Sequence, residues 1–350
     1  VLELLPELGV DVMLVTQIVN VGYLTGYSGS NGIALVGPTT RTFITDFRYV
    51  TQAAEEVDPS FARQRASLDL IDAIADLLPD GELRVGFEEA HVSVRQHARL
   101  RELLPDRVSL VGVSGVVEGL RAVKDAAEIA RIRAAAALAD ESFARLLEGG
   151  LIGRTERELA LALEVDMRSR GARRPSFETI VATGPHGALP HAQPREVKIE
   201  RGDLVVIDWG AELDGYCSDC TRTIAAGDPS AEARDVYEIV RSAQLAGLGA
   251  VRAGAGGREV DSVARDLIAA AGHGEHYGHG LGHGVGIEVH EGPRLSQRST
   301  DELQAGNVVT VEPGIYLPGR FGIRIEDLVS VVQDGCEILT SFDKQLIVTD

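Results

Sequence analysis

Residues 273 to 293 hold five of the chain's nine histidines: His273, His276, His279, His283 and His290. Glycines alternate with them and strip away side-chain bulk, so another group can come close to this backbone. Neutral imidazole is the commonest protein metal ligand. Imidazoles crowded on permissive backbone therefore point first to a metal site; the plain alternative is a solvent-exposed loop. Carboxylates elsewhere decide between them. Asp208 ends the run Asp203-Leu-Val-Val-Ile-Asp208, and Asp219 follows eleven residues later. Glu312 follows Asn307-Val-Val-Thr-Val311, and Glu326 lies within Gly322-Ile-Arg-Ile-Glu-Asp-Leu-Val329. Each interrupts or ends an apolar, β-prone run, where an acidic side chain is costly unless paired or coordinated. Brought together, the four would repel one another unless cations lay between them. Two divalent ions suit four carboxylates and one imidazole.

The elements that must position these groups are readable in part. Strands over 204–210 and 215–224 flank Glu212-Leu213-Asp214-Gly215, a hairpin turn. A turn at Leu213-Asp214 sets Asp208 opposite Asp219. A turn at Asp214-Gly215 sets Asp208 opposite Thr221, with Asp219 diagonal to it. Either register puts both carboxylates on one face, because strand side chains alternate with period two. Upstream, Asp125 and Glu128 form a capping box that opens a helix running to about Glu148 and stopping at Gly149-Gly150. Further helices are predicted over 156–169, 231–250 and 259–271. This half reads as α+β with a mainly antiparallel sheet.

Residues 10–110 read as a smaller α/β unit. Strands are predicted over 10–15, 32–36, 42–45, 84–87 and 108–111, and helices over 49–56, 68–78 and 92–104. The segment Tyr23-Leu-Thr-Gly-Tyr-Ser-Gly-Ser-Asn-Gly32 is rich in turn formers. It is no phosphate loop, since no Gly-Lys-Ser follows and a strand, not a helix, comes next. Glycines and weak periodicity over 112–121 mark a boundary. The domains expected are thus 1–115 and 122–350.

Composition excludes several classes. A net charge of −19 argues against a nucleic-acid surface. No run of about 18 apolar residues is present, so no membrane span is expected, and the protein is expected to be cytoplasmic. The opening Val1-Leu-Glu-Leu-Leu-Pro6 has no basic leader and carries an early Glu, unlike a signal peptide; lacking Met, it is expected to begin downstream of the true start. Three cysteines make no disulfide framework. Cys217 and Cys220 are three apart in a strand, hence on opposite faces, which disfavours a shared metal or redox role.

The constellation resembles the pita-bread metallopeptidases, in the branch of Xaa-Pro dipeptidases (prolidases) and Xaa-Pro aminopeptidases (aminopeptidase P). The motifs are His279-Gly-x-Gly-His283, Ile287-Glu-Val-His290-Glu, Glu312-Pro-Gly and Arg324-Ile-Glu-Asp327, with Asp208 and Asp219 at the family's spacing. Tyr23-Leu-Thr-Gly and Phe43-Ile-Thr-Asp-Phe-Arg-Tyr49 look like the creatinase/prolidase N-terminal domain. The resemblance implies a catalytic pita-bread fold behind a smaller α/β domain. It also implies two divalent ions, Mn²⁺ foremost with Co²⁺ or Zn²⁺ as alternatives, held by Asp208, Asp219, His283, Glu312 and Glu326. It implies a bridging hydroxide that attacks the carbonyl before proline and Glu312 as proton carrier. His191, His279 and His290 would surround the substrate, with His290 at the oxyanion. Arg324 would orient a substrate carboxylate or pair with Asp219 or Glu326. His273 and His276 lie outside the pattern and are expected on the surface. The implied substrate is a small peptide with proline second, and the implied assembly a homodimer. A dipeptide preference is expected, with the loop Ser28–Asn31, of this chain or of a second subunit, closing the far side of the pocket; longer peptides are the alternative. A methionine aminopeptidase would lack this N-terminal domain, a creatinase would lack metals, and a metal-free binding module would lose ligands.

Overall fold

The computed structural model describes residues 1–349. The chain divides into two compact units, Val1–Arg121 and the part from Ala122 onward. In the first, β1 (Val12–Val15), β2 (Ile33–Val36), β3 (Arg41–Thr45), β4 (Ala62–Arg65), β5 (Leu83–Glu88) and β6 (Val108–Val113) form one sheet in the order β4-β3-β2-β1-β5-β6. One face packs on helices α1 (Leu5–Leu8), α2 (Ile18–Thr25), α3 (Val50–Glu56) and α5 (Val116–Ala122), through Met13, Val21, Ala53 and Val117. The other packs on α4 (Val94–Leu103) through Leu14, Leu35 and Leu100.

Three features of this unit depart from expectation. Segment 68–78 is two 3-10 turns, Leu70–Ala73 and Ala75–Leu77, in place of a helix. Ile74 N bonds Ile71 O at 3.1 Å and Leu77 N bonds Ile74 O at 3.0 Å. Apolar residues recurring every third position suit that tighter winding. The exposed strand β4, Ala-Arg-Gln-Arg, shows no apolar alternation because it is a charged sheet edge. The stretch 112–121, read as a weakly periodic boundary, is regular structure up to the division: the end of β6 followed by α5.

In the second unit, α6 (Ala126–Glu148) starts on the Asp125–Glu128 capping box, and α7 (Glu156–Ser169) on one made by Thr155 and Glu158. Both helices cover a sheet whose order is β20-β12-β9-β8. Its strands are β8 (Ile180–Thr183), β9 (Leu204–Trp209), β12 (Cys220–Ala226) and β20 (Val348–Thr349); β7 (Arg174–Pro175), β10 (Ala211–Leu213) and β11 (Tyr216–Cys217) form a small adjoining sheet. Trp209, fully buried, stacks on Phe143 at 3.9 Å between ring centres and donates from Nε1 to Ala139 O at 3.0 Å. Helices α8 (Ala231–Ala250) and α9 (Gly257–Ala270) cover the other sheet. It comprises β13 (Gly282–Gly284), β14 (Glu291–Leu295), β15 (Val308–Val311), β18 (Asp327–Val332) and β19 (Gly335–Ile338), beside the ribbon of β16 (Gly314–Leu317) and β17 (Phe321–Arg324).

The hairpin register is now settled. Leu213 pairs with Tyr216, so Asp214-Gly215 is the turn, and both residues have positive φ (48° and 81°), as a tight hairpin of this type requires. The same register carries on to pair Asp208 with Thr221.

Candidate metal centre

The two sheets of the second unit meet at the acidic residues. Asp208 is on β9 and Asp219 just precedes β12; His283 is on β13, Glu312 follows β15 and Glu326 precedes β18. Glu326 N donates to Thr221 O at 3.1 Å, joining one sheet's edge to the other. One oxygen from each of Asp208, Asp219 and Glu326 falls within 4.8 Å of the others. His283 Nε2 lies 3.3 Å from Glu312 Oε1 and 3.7 Å from Asp219 Oδ2. All five residues predicted as ligands are therefore gathered in one place.

The alternating glycines have a physical cause here. A Cβ on Gly282 would run into Thr310 O, and one on Gly284 into Gly292 O. What comes close to this backbone is the neighbouring strands, and that packing seats His283 in the sheet.

The donor set suits divalent cations. Asp208 Oδ1 and Glu326 Oε1 are buried and have no hydrogen-bond partner. Burial and the charges of Glu326 and Asp208 push the Asp219 carboxyl well above its ordinary range. Burial, Glu312 and Asp208 do the same to Glu326, and burial with Glu312 raises Asp208 against the pull of Arg324. A cation relieves all three conditions at once. Burial also acts to raise Glu312, but the hydrogen bond and charge of His283 outweigh it, with help from His279 and Arg324, and bring its carboxyl down to about 2. The His283 Nδ1–H points at Gly284 O (3.1 Å), assigned from that carbonyl partner, which leaves Nε2 facing the carboxylates. Carboxylates with one imidazole are a hard donor set that fits Mn²⁺, Co²⁺ or Zn²⁺ better than a thiolate-selected ion.

Around this cluster lies a cavity of about 530 Å³ whose wall includes Phe177, Ile180, Pro190, His191, His279, His290 and Arg294. His191 and His290 are exposed on its rim. The His290 ring meets the His283 ring edge-on at 4.4 Å. Burial and the neighbouring charges of His283 and Arg294 bring its pKa down to about 4, so it is neutral at pH 7.

Arg324 corrects one expectation. Its ion pair is with Asp208 (2.6 Å), not with Asp219 or Glu326. It also donates to Tyr316 Oη (2.9 Å), Pro190 O (3.1 Å) and Thr221 Oγ1 (3.1 Å). A guanidinium only donates, so the Tyr316 hydroxyl spends its own proton on His279 Nε2 (2.8 Å), and His279 Nδ1–H goes to Gly280 O (2.8 Å). His279 therefore presents its ring, not a free nitrogen, to the cavity. Burial lowers its pKa and keeps it neutral.

Tyr316 and Arg294 were not singled out in the sequence, and Thr221 was named only as the residue opposite Asp208 in one of the two registers, with no role of its own. Tyr316 and Gly314 share a face of β16, and Thr221 shares a face with Asp219; alternation from Asp219 would have flagged Thr221. His273 and His276 are half-buried and lie outside the cavity wall. Cys217 and Cys220 are free, and their thiols donate to different carbonyls, of Ile287 and Glu326. Burial pushes the Cys217 thiol up to about 12, so neither a shared metal nor a reactive thiolate is built there. No helix among the described residues is long and apolar enough to cross a membrane.

Two family models match this chain. The model for metallopeptidase family M24 matches residues 130–333, and that for the creatinase/prolidase N-terminal domain matches residues 1–123. An Xaa-Pro dipeptidase of Pyrococcus horikoshii is 36% identical, covering 99% of this chain and 97% of the relative. The structure of an Xaa-Pro dipeptidase from Bacillus anthracis is 40% identical with a TM-score of 0.94, over 99% of this chain and 97% of that one. That of an X-Pro aminopeptidase from Thermotoga maritima is also 40% identical with a TM-score of 0.90, over 97% and 98%. The architecture, two helix-covered sheets in the larger unit and a smaller α/β unit preceding it in the chain, is the pita-bread fold with a creatinase-type N-terminal domain.

Proposed function

We propose, from the premise that this chain belongs to metallopeptidase family M24, that it hydrolyses the bond before proline in Xaa-Pro dipeptides and releases the N-terminal residue. The observation that carries the reading is the buried carboxylate–imidazole cluster, with its orphaned oxygens, at the floor of a partly apolar cavity. Asp208, Asp219, His283, Glu312 and Glu326 would hold two divalent ions, Mn²⁺ by preference. Bound there, the ions would activate a water and polarise the scissile carbonyl.

The remaining work falls to side chains. Glu312, ionised at neutral pH, accepts a proton from the attacking water and returns it to the departing proline nitrogen. Neutral His290 donates an N–H to the oxygen that gains charge. An Xaa-Pro bond offers no N–H to grip and a rigid ring on its leaving side. Phe177, Ile180 and Pro190 supply an apolar wall for that ring, and His191 and His279 shape it. Arg324, buried and held by Asp208 and Tyr316, positions the cluster and does not bind substrate.

Arg294 favours the dipeptide reading over an aminopeptidase P acting on longer peptides. It lines the same cavity; its backbone N–H donates to Asp301 Oδ2 (2.7 Å), while among the described residues its guanidinium forms no ion pair with a carboxylate. A guanidinium so placed would receive the free carboxylate of a C-terminal proline. The domain limits proposed are 1–115 for the N-terminal domain and 122–350 for the catalytic one. A cytoplasmic homodimer is the state proposed for the protein, and sedimentation would test the dimer.

The test is hydrolysis of Ala-Pro against Ala-Pro-Ala after loading with Mn²⁺, Co²⁺ or Zn²⁺ in turn. Cleavage of the dipeptide with little of the tripeptide is expected. Preference for the tripeptide would make this an aminopeptidase P, and cleavage of neither would point to a binding module.

A further inference from the structure

Glu156 is a fully buried carboxylate that the reaction above does not use. It occupies the first turn of α7, yet that helix is already capped by Thr155 and Glu158. Its own oxygens serve a different segment. Oε1 accepts from Thr183 N (2.9 Å), His186 Nδ1 (2.9 Å) and Arg195 Nη2 (3.3 Å). Oε2 accepts from Arg195 N (2.9 Å) and Arg195 Nε (3.2 Å). A buried charge is retained at low cost only when its lone pairs are filled this fully. Every donor belongs to one end or the other of a single stretch, 183–186 on the way in and Arg195 on the way out.

Between those ends the chain crosses the cavity. Pro190, His191, Ala192, Gln193 and Pro194 all line it. Leu189, His191 and Gln193 are solvent-exposed, so little packing holds the crest of this stretch. Among the described residues, the side-chain tether in its middle is Arg324 Nη1 on Pro190 O. The outgoing end has backbone support, Glu156 N on Val197 O and Arg157 N on Arg195 O, both 3.1 Å. The incoming end is anchored as well, since Thr183 pairs with Val205 and donates from Oγ1 to Asp203 Oδ2 (2.8 Å), and Gly184, Gly187 and Ala188 are buried; the His186 side chain itself is held by the carboxylate.

We infer that Glu156 is a positioning residue for substrate: a single buried carboxylate staples both ends of the 186–195 segment and so sets the wall against which the proline ring rests. The inference builds on the Xaa-Pro reading and adds a residue remote from the metal cluster. Glu156 touches none of the five metal-facing residues, so its loss shifts the wall and leaves the cluster intact. Wall contacts act on bound substrate and transition state alike, and their loss appears chiefly in KM.

The test compares Glu156→Gln with Arg195→Met by kinetics on Ala-Pro, metal content and hydrogen exchange. An amide keeps the shape but turns a donor toward donors on one side. Glu156→Gln is expected to raise KM about tenfold with a much smaller fall in kcat. Bound metal per chain should stay at the wild-type level, and faster exchange should be confined to 184–195. Arg195→Met removes only the side-chain bonds of a half-exposed residue and should raise KM about threefold, less than additively with the first change. Unchanged KM and unchanged exchange in folded Glu156→Gln would overturn the inference. So would loss of metal, or faster exchange spread over the whole domain, either of which marks a general scaffold role. If Glu156→Gln does not fold, Arg195→Met decides on the same two readouts. A wild type that cleaves neither Ala-Pro nor Ala-Pro-Ala would sink the proposed substrate alone; the exchange measurement still tests the staple.

Discussion

Glu326 and Asp327 are neighbours in the chain, both carboxylates and both buried, at 1% and 0% exposure. Their surroundings differ in every other respect. Asp327 Oδ1 accepts from Arg222 Nη2 (2.8 Å) and Thr340 Oγ1 (3.0 Å), and its Oδ2 from Lys344 Nζ (2.8 Å) and Gln244 Nε2 (2.9 Å). Burial acts to raise its pKa, but the two cations win and hold the carboxyl below its ordinary range. Glu326 has one protein donor, Thr221 Oγ1 (2.7 Å), an oxygen with none, and a pKa pushed up by burial and nearby carboxylates. Strand alternation sends the two to opposite faces. One face is a finished structural hub. The other is a site whose lone pairs are left for something the chain itself does not supply. Being buried and acidic does not identify a ligand, and neither does one orphaned oxygen, since Asp140 Oδ1 is also buried and unpartnered; what marks Glu326 is an unsatisfied oxygen gathered with the carboxylates of Asp208 and Asp219.

The comparison can be broken most severely at Glu326. Glu326→Ala, like Asp219→Ala, should cut kcat/KM on Ala-Pro to below about one ten-thousandth of wild type while circular dichroism stays native. Wild-type-like turnover in either variant would remove these residues from the site. Asp327→Ala should act on stability. It leaves the buried Arg222 guanidinium without its carboxylate and should cost about 3–5 kcal/mol in urea unfolding. A loss under 1 kcal/mol would mean that Arg222 finds other partners, such as the Phe342 and Asp343 carbonyls that it already touches.

His290→Ala sharpens the picture between chemistry and metal holding. It should slow turnover about 10²- to 10³-fold with metal still bound. Metal loss in that variant would make His290 a ligand.

Acidity separates the two carboxylates by sign. Asp327 has a depressed folded pKa, so its stabilisation is present above the unfolded carboxyl range and lost as pH falls through that folded value. Asp219 and Glu326 have raised folded values. In metal-free protein their contribution is present below the ordinary carboxyl range and lost as pH rises through those values. Chelator-treated protein should therefore lose stability toward neutral pH, and Mn²⁺ should restore it, by about 2.7 kcal/mol at a hundred times Kd. A thermal-melt series with and without chelator reads both effects. The smallest change expected is from shortening the loop Ser28–Asn31, which should alter the Ala-Pro to Ala-Pro-Ala ratio and little else. An unchanged ratio would exclude the loop from substrate selection.

Where local rules apply, the chain is transparent. Period-two alternation places Asp208 and Asp219 on one face whichever turn forms, and the Asp125–Glu128 spacing marks the start of α6. Long-range partners are not readable that way. Arg324 meets Asp208 from 116 residues away, a pairing no local pattern encodes. Tyr316 is an unremarked strand residue until the fold sets it between Arg324 and His279. Glu156 reads as a favourable first-turn helix acid, and only the tertiary structure shows its oxygens turned to His186 and Arg195. Segment 68–78 failed for another reason: spacings of three and four coexist in it, and the tighter winding won.

The most direct test of the central claim is the metal content of dialysed protein, measured by plasma mass spectrometry on wild type, Glu326→Ala and Asp327→Asn. Two ions per chain are expected in wild type and in whatever fraction of Asp327→Asn remains folded, and fewer than one in Glu326→Ala. Full metal occupancy in Glu326→Ala would contradict the account, because the unsatisfied carboxylate would then not be what the ions require.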